Sequence, residues 1–334
     1  LREAQFIKIN RERWVQIQQQ PSENADETAE EFTQLVEDLG YSKTFYPTSR
    51  TTDFLNKEAS KRYLRIYENS KTNKGKLWRI FKERIPLTLY KHRWVVYGCF
   101  VAFVLFVVIG AYSAKNDPQF IEDILGKSYI QMTEDNIKKG NPFGVYNTGN
   151  PLIMFLGIFS NNIMVALRLF AGGILLGYPT IQGLVFNSIM VGAFYELFAQ
   201  NNLTDGFMLT VMIHGTVELS SIALAAASGL VLAKSWLFPG TGTRLKALKE
   251  GAKDGLLIAL TNFPMLLLAG FFEGFITRYE HMHAGLKLLF IIPSLLIVVG
   301  YFIIYPLRVN AHLRKRNKNT TTIQHVASKE VIHA

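Results

Sequence analysis

Between His92 and Val309 the chain is dominated by apolar runs long enough to cross a bilayer. A helix needs about 20 apolar residues for that crossing. In hydrocarbon no water satisfies backbone N–H and C=O groups, so each run must close its own hydrogen bonds as a helix. Six runs are legible: Trp94–Ala114, Pro151 to Tyr178, Ile181–Ala199, Phe207 to Leu237, Gly255–Ile276 with Pro264 as a kink, and Gly285–Leu307. The expected fold class is therefore all-α, a polytopic membrane bundle of about six transmembrane helices preceded by an N-terminal helical bundle. Residues 1–90 read as a cytoplasmic bundle ending in a basic juxtamembrane helix, 91–310 as the six-span domain, and 311–334 as a polar cytoplasmic tail.

The soluble part shows helical spacing. Phe6, Ile9, Trp14 and Ile17 mark one helix. Phe32, Leu35, Val36 and Leu39 form the stripe of a second, with Gly40 as its C-cap. A third opens at a Thr or Asp cap in "TTDF". The basic stretch "KLWRIFKERIPLTLYKHRW" is expected to lie along the inner membrane surface. "GTRLKALKEGAKDG", between spans four and five, reads as a second such element or as a solvated connector. Leu1–Gln20 is rich in charge and Gln, so no cleavable signal peptide is expected there. Cys99 stands alone in an apolar run, which excludes a disulfide framework.

The net charge is +10, and its distribution sets orientation rather than affinity for nucleic acid. Basic residues cluster before span one (Lys71 to Arg93), after span four (Lys234 to Lys253) and after span six ("RVNAHLRKRNK"). With six spans all three clusters fall on one side. The N- and C-termini are thus expected in the cytoplasm, and the loops 115–150, 201–206 and 277–284 outside. No nucleic-acid partner is expected.

Within the spans sits a polar set: Asn161, Asn162, Arg168, Glu196, His214, Glu218 and Glu273. Ionisable groups inside lipid are costly and normally face a bundle interior, where they pair. His214 and Glu218 are four apart, so they share a helix face. Glu218 is expected to meet His214 or Arg168, with Glu196 nearby. Such a network serves packing, a polar substrate pathway, or a metal-dependent intramembrane hydrolase. Against the last reading, one intramembrane histidine is few for a zinc site, and no Ser–His–Asp, Cys–His or phosphate-loop signature appears. No cofactor, no metal and no enzymatic activity are expected. His281 and His283 fall in an outer loop, where solvation is expected. Gly172, Gly173, Gly215, Ala225 and Gly229 are small enough for close helix approach, within the bundle or between protomers of a homo-oligomer.

Several stretches together carry a family likeness. They are "REAQFIKINRERW", "DLGYSKTFYP", "LNKEASKRYLRIY", "SNNIMVALRLFAGGILLG", "FNSIMVGAF" and, most specific, "IHGTVELSSIALAAASGLVLA". In this order they resemble the stage II sporulation protein M family of bacterial integral membrane proteins, over roughly residues 1 to 310. Asn161, Asn162, Gly173, His214, Gly215 and Glu218 match the family's most recognisable pattern. The resemblance implies a multi-pass protein of the bacterial inner membrane, a scaffold or permease-like component working with other membrane or envelope proteins. The sporulation role itself is not carried over. The competing expectation is a transporter-type protein with an outward-open polar cavity.

Reporter fusions test the topology. Fusions at Asn69, Gly240 and Asn319 are expected to read cytoplasmic, and one at Lys127 external. An external signal at Gly240 would overturn the six-span count, because it would put one basic cluster on the wrong side.

Overall fold

The computed structural model describes residues 2–19, 25–71, 76–147, 149–279 and 282–313. The regular elements are all helical, and no strand occurs among the described residues. The chain divides into two units, Leu1–Arg79 and Ile80–Ala334. Most of the polar tail expected at 311–334 lies outside the described residues, as does His281.

The first unit comprises α1 (Glu3–Gln19), α2 (Ala25–Phe45), α3 (Arg50–Lys71) and a single turn, α4 (Lys76–Arg79). Phe6, Trp14, Ile17, Leu35, Leu55 and Ala59 make its core. Trp14 donates its indole N–H to Asp38 at 2.8 Å, and Arg13 pairs with the same carboxylate. Gly40 is not a C-cap: α2 runs through it to Phe45. The stop comes just ahead of Tyr46-Pro47, since a residue preceding proline is driven out of helical conformation. The cap of α3 is Ser49, whose hydroxyl accepts from the Thr51 N–H at 3.0 Å.

The second unit opens with a π-helical turn (Ile80–Arg84) and α5 (Ile85–Lys91). This stretch is more than a lipid-surface helix. Ile85 and Leu89 are buried in the same core as Val96, Leu224 and Val298. Tyr301 and Tyr305 donate their hydroxyls to the carbonyls of Phe81 and Lys82. The unit boundary therefore falls at Arg79/Ile80 rather than at residue 90.

Six helices are long and apolar enough to cross a membrane: Arg93–Asn116, Pro151–Leu175, Tyr178–Ala199, Thr204–Leu237, Arg244–Ile276 and Ala284–Leu313. The first is α6 (Arg93–Asn116). The connection to the second carries α7 (Pro118–Leu125) and α8 (Lys127–Lys138). The second is α9 (Pro151–Ala171), prolonged by a 3₁₀ turn to Leu175. The chain then reverses through Leu176 and Gly177, both in left-handed conformation, into α10 (Tyr178–Ala199). The long central helix is α11 (Thr204–Leu237). The fifth span is broken into α12 (Arg244–Ala259) and α13 (Asn262–Phe271), followed by a π-helical turn (Phe272–Ile276). The break at Leu260–Thr261 lies where Pro264 removes the N–H that Leu260 would accept. The sixth span is α14 (Ala284–Val299), prolonged through a second π-type stretch, Gly300–Ile304.

The "GTRLKALKEGAKDG" segment forms the first turns of α12 and packs along α11 rather than standing free. Its Gly251 and Gly255 face Ser235 and the Ser228 carbonyl. At one end of the bundle Asp254 joins Lys91 at 2.7 Å and His92 at 2.9 Å. We call this the basic end, and the other the α7–α8 end.

Backbone-to-backbone contact holds the bundle. A Cβ on Gly192 would lie 2.2 Å from the Val107 carbonyl of α6, and one on Gly110 2.5 Å from that of Ile189. A Cβ on Gly173 would meet the Gly229 carbonyl at 2.1 Å, and one on Gly229 the Leu169 carbonyl at 2.2 Å. Gly172 abuts the Thr180 backbone, and Ala225 is fully buried beside Leu169 and Leu266. Gly215 differs: a Cβ there would meet only side chains of its own helix, at 3.6 Å or more.

These contacts predict an asymmetric glycine scan in detergent. Gly192→Leu and Gly229→Leu should each lower the unfolding temperature by at least about 5 °C, since overpacking costs roughly 1–3 kcal/mol or more. Gly98→Leu and Gly157→Leu, where nothing lies within 4 Å, should stay close to the parent.

Candidate functional site

The site is assembled around α11, because that helix is the most enclosed of the six. His214 and Glu218 sit one turn apart on it, as helical spacing requires. The third member comes from the turn after α13. Thr277 donates its backbone N–H to the Phe272 carbonyl at 2.8 Å, five residues back. That wider turn carries Glu273 and Thr277 to the His214 face of α11. Such π-turns inside helices occur often at functional sites. The histidine nitrogen and a carboxylate oxygen from each glutamate all lie within 4.8 Å of one another.

Polar groups on both sides hold the His214 ring. Its Nδ1 lies 3.0 Å from Thr277 Oγ1, and that hydroxyl also lies 3.1 Å from the Phe272 carbonyl. A hydroxyl has one proton to give, and a carbonyl can only accept. With the Thr277 proton directed at the Phe272 carbonyl, His214 would donate Nδ1–H to Thr277. The other ring nitrogen, Nε2, lies 4.0 Å from Glu273 Oε2. From the other side the Asn162 side chain of α9 lies beside Glu218.

The surrounding wall is polar as well. One turn before His214, Thr210 accepts a bond from the buried Lys287 of α14 at 2.9 Å. Tyr129 reaches in from α8 and packs edge-on against Phe194. Burial pushes its phenol up to about 12, the Thr133 hydrogen bond opposing and the nearby Glu273 charge adding to the rise.

Of the residues singled out from sequence, Asn162, His214, Glu218 and Glu273 thus come together. Asn161 is exposed on the neighbouring face of α9. Glu196 is buried on α10 but lies outside the grouped ligand atoms. Arg168 does not reach Glu218. It stands six residues past Asn162, about 9 Å along the helix, and opens onto a groove between α9 and α10. His283 is exposed and caps α14 through a 3.1 Å bond from the Gly285 N–H. Thr277, Thr210, Lys287 and Tyr129 escaped the sequence reading. The lone lysine at the start of span six was the one available signal, since a cation at the head of so apolar a helix calls for a partner.

Comparison with known proteins places these helices. Residues 99–278 match the family described as stage II sporulation protein M. Residues 4–68 match a separate family described only as a domain of unknown function, so the sporulation-type match does not extend over the N-terminal bundle. An uncharacterized protein of Methanocaldococcus jannaschii is 27% identical over 156 residues, 46% of this chain and 88% of that one. No solved structure matches. The sporulation-type match takes in more than half of the chain, including His214, Glu218, Glu273 and the glycine crossings around α11, and so the chain belongs to the stage II sporulation protein M family.

Proposed function

We propose that this multi-pass membrane protein is a non-enzymatic scaffold, a component of a multiprotein assembly in the cytoplasmic membrane that docks a partner transmembrane helix between α9 and α10. The observation that carries the reading is the groove beside Arg168. It has a volume of about 760 Å³ and is lined by Val165, Leu175, Gln182, Phe186 and Asn187 besides Arg168 itself. Its apolar walls suit a helix or lipid tails. The exposed guanidinium suits neither alone, because a cation at that depth is stabilised only by an anion or by reaching the interface. Asn187 donates its amide to the Gly183 carbonyl at 2.7 Å, so its oxygen remains an acceptor facing the groove. A transmembrane segment carrying an Asp or Glu would neutralise Arg168 and fill the apolar remainder. If the basic end faces the cytoplasm, the groove opens in the cytoplasmic leaflet.

The family relation and the glycine-locked bundle support this reading, since a rigid frame holds a docking surface in one geometry. A photo-crosslinker at Gln182 or Phe186, used in native membranes, should form an adduct with a transmembrane peptide containing an acidic residue. Arg168→Leu should cut that adduct by at least about tenfold, the scale of losing one partner of a buried charge pair, with the unfolding temperature unchanged. Arg168→Glu combined with a Lys at the partner's acidic position should restore it. Adducts with lipid alone would make the groove a lipid seat, and adducts with a second copy of this chain would make it a self-association surface. Either result would overturn the partner-docking reading.

A further inference from the structure

The His214 centre is separate from the docking groove, and it carries a different inference. We propose that His214, Glu218 and Glu273 bind one divalent transition-metal ion, of the zinc or manganese class, inside the apolar layer of the bundle.

Three observations converge on it. The first is geometry. One imidazole nitrogen and two carboxylate oxygens already lie within 4.8 Å of one another. Donors bound at the usual ~2.0–2.2 Å stand about 3–4 Å apart, so two flexible glutamate arms need to close by only about 1 Å. Ligands at i and i+4 of one helix, completed by a third from a neighbouring element, are a common way of building such sites.

The second is the orientation of the ring. A metal-bound histidine characteristically donates its other N–H to a hydrogen-bond acceptor, which fixes the tautomer. The Thr277 hydroxyl, 3.0 Å from His214 Nδ1, can serve as that acceptor, and Nε2 is then the nitrogen turned toward the Glu273 carboxylate 4.0 Å away. On the opposite flank the Asn162 amide lies beside Glu218, where it could orient a ligating carboxylate.

The third is charge balance. When both carboxylates are ionised, the group carries two negative charges in a region where net charge is costly, and protons or a cation must offset them. A divalent ion makes the group neutral. The buried ammonium of Lys287 adds only one charge, and it is bonded to Thr210, a turn away from His214. The donor set also narrows the kind of ion, since imidazole suits zinc, copper, iron and nickel while carboxylate oxygens suit manganese as well as magnesium and calcium. With three protein donors, a further coordination position remains for water or another ligand.

The test uses the full-length, tag-free protein in detergent. After dialysis against metal-free buffer, it should retain or rebind about one equivalent of Zn2+ or Mn2+ by elemental analysis, and added metal should raise its unfolding temperature while Mg2+ should not. Glu218→Gln and Glu273→Gln keep the shape and hydrogen bonding of the side chains, and each should weaken binding at least tenfold. The chain's other histidines stand at or beyond the ends of the apolar runs, away in sequence from Glu218 and Glu273, so metal bound by them would survive in both variants. Should the variants fail to fold, X-ray absorption on the zinc-loaded parent decides: one imidazole with carboxylate oxygens supports the site. A shell of several imidazoles, metal retained by both variants, or no metal and no thermal shift would each overturn the proposal.

Discussion

The transmembrane unit depends on backbones that touch. At the α9–α11 crossing, Gly229 lies against the Leu169 carbonyl, and Gly173 lies against that of Gly229. At the α6–α10 crossing, Gly192 and Gly110 do the same. Between helices in lipid no hydrophobic force favours association, because a lipid tail is as apolar as leucine. Dispersion contact over a close, well-fitted crossing does the holding, and it requires the missing side chains. Thr180 adds a hydroxyl bond to the Leu169 carbonyl at 2.7 Å, satisfying a backbone group at the end of α9.

That close packing sets the position of the polar centre. With α9 held against α11, Asn162 comes within reach of Glu218. With the fifth span broken at Leu260–Thr261, α12 follows α11 through Gly251 and Gly255, while α13 starts again toward the His214 level. The π-turn at Phe272–Ile276 then shifts the register so that Glu273 and Thr277 face His214. Gly274 permits it, since a Cβ there would crowd the Pro151 carbonyl and Phe155 of α9. The fold thus gathers its ionisable side chains on the inside of an apolar frame, where their interactions are least screened.

Two polar features of the bundle answer different physical demands. Arg168 faces outward, onto the groove between α9 and α10. His214, Glu218 and Glu273 face inward, where they can balance one another only with a cation or protons among them. The expectation that all of these belong to one network placed Arg168 with Glu218. The bundle separates them because Asn162 and Arg168, six residues apart, lie on different faces of α9 and at different depths.

The sequence by itself determined the features that local periodicity and length dictate. The six spans, the all-helical class, the small residues at Gly172, Gly173, Ala225 and Gly229, and the His214–Glu218 turn could all be read from one-dimensional spacing. Helix geometry is set by the backbone and is the same wherever the helix packs. Tertiary structure alone decided which faces meet. It chose Asn162 over Asn161, brought Glu273 and Thr277 to the histidine, packed Tyr129 of α8 against Phe194, and left Gly215 facing only side chains of its own helix. It also drew the Ile80–Lys91 segment into the membrane unit, because Ile85 and Leu89 find a protein core there. Those outcomes depend on crossing points and on a single widened turn, which arise from contacts between residues far apart in the chain.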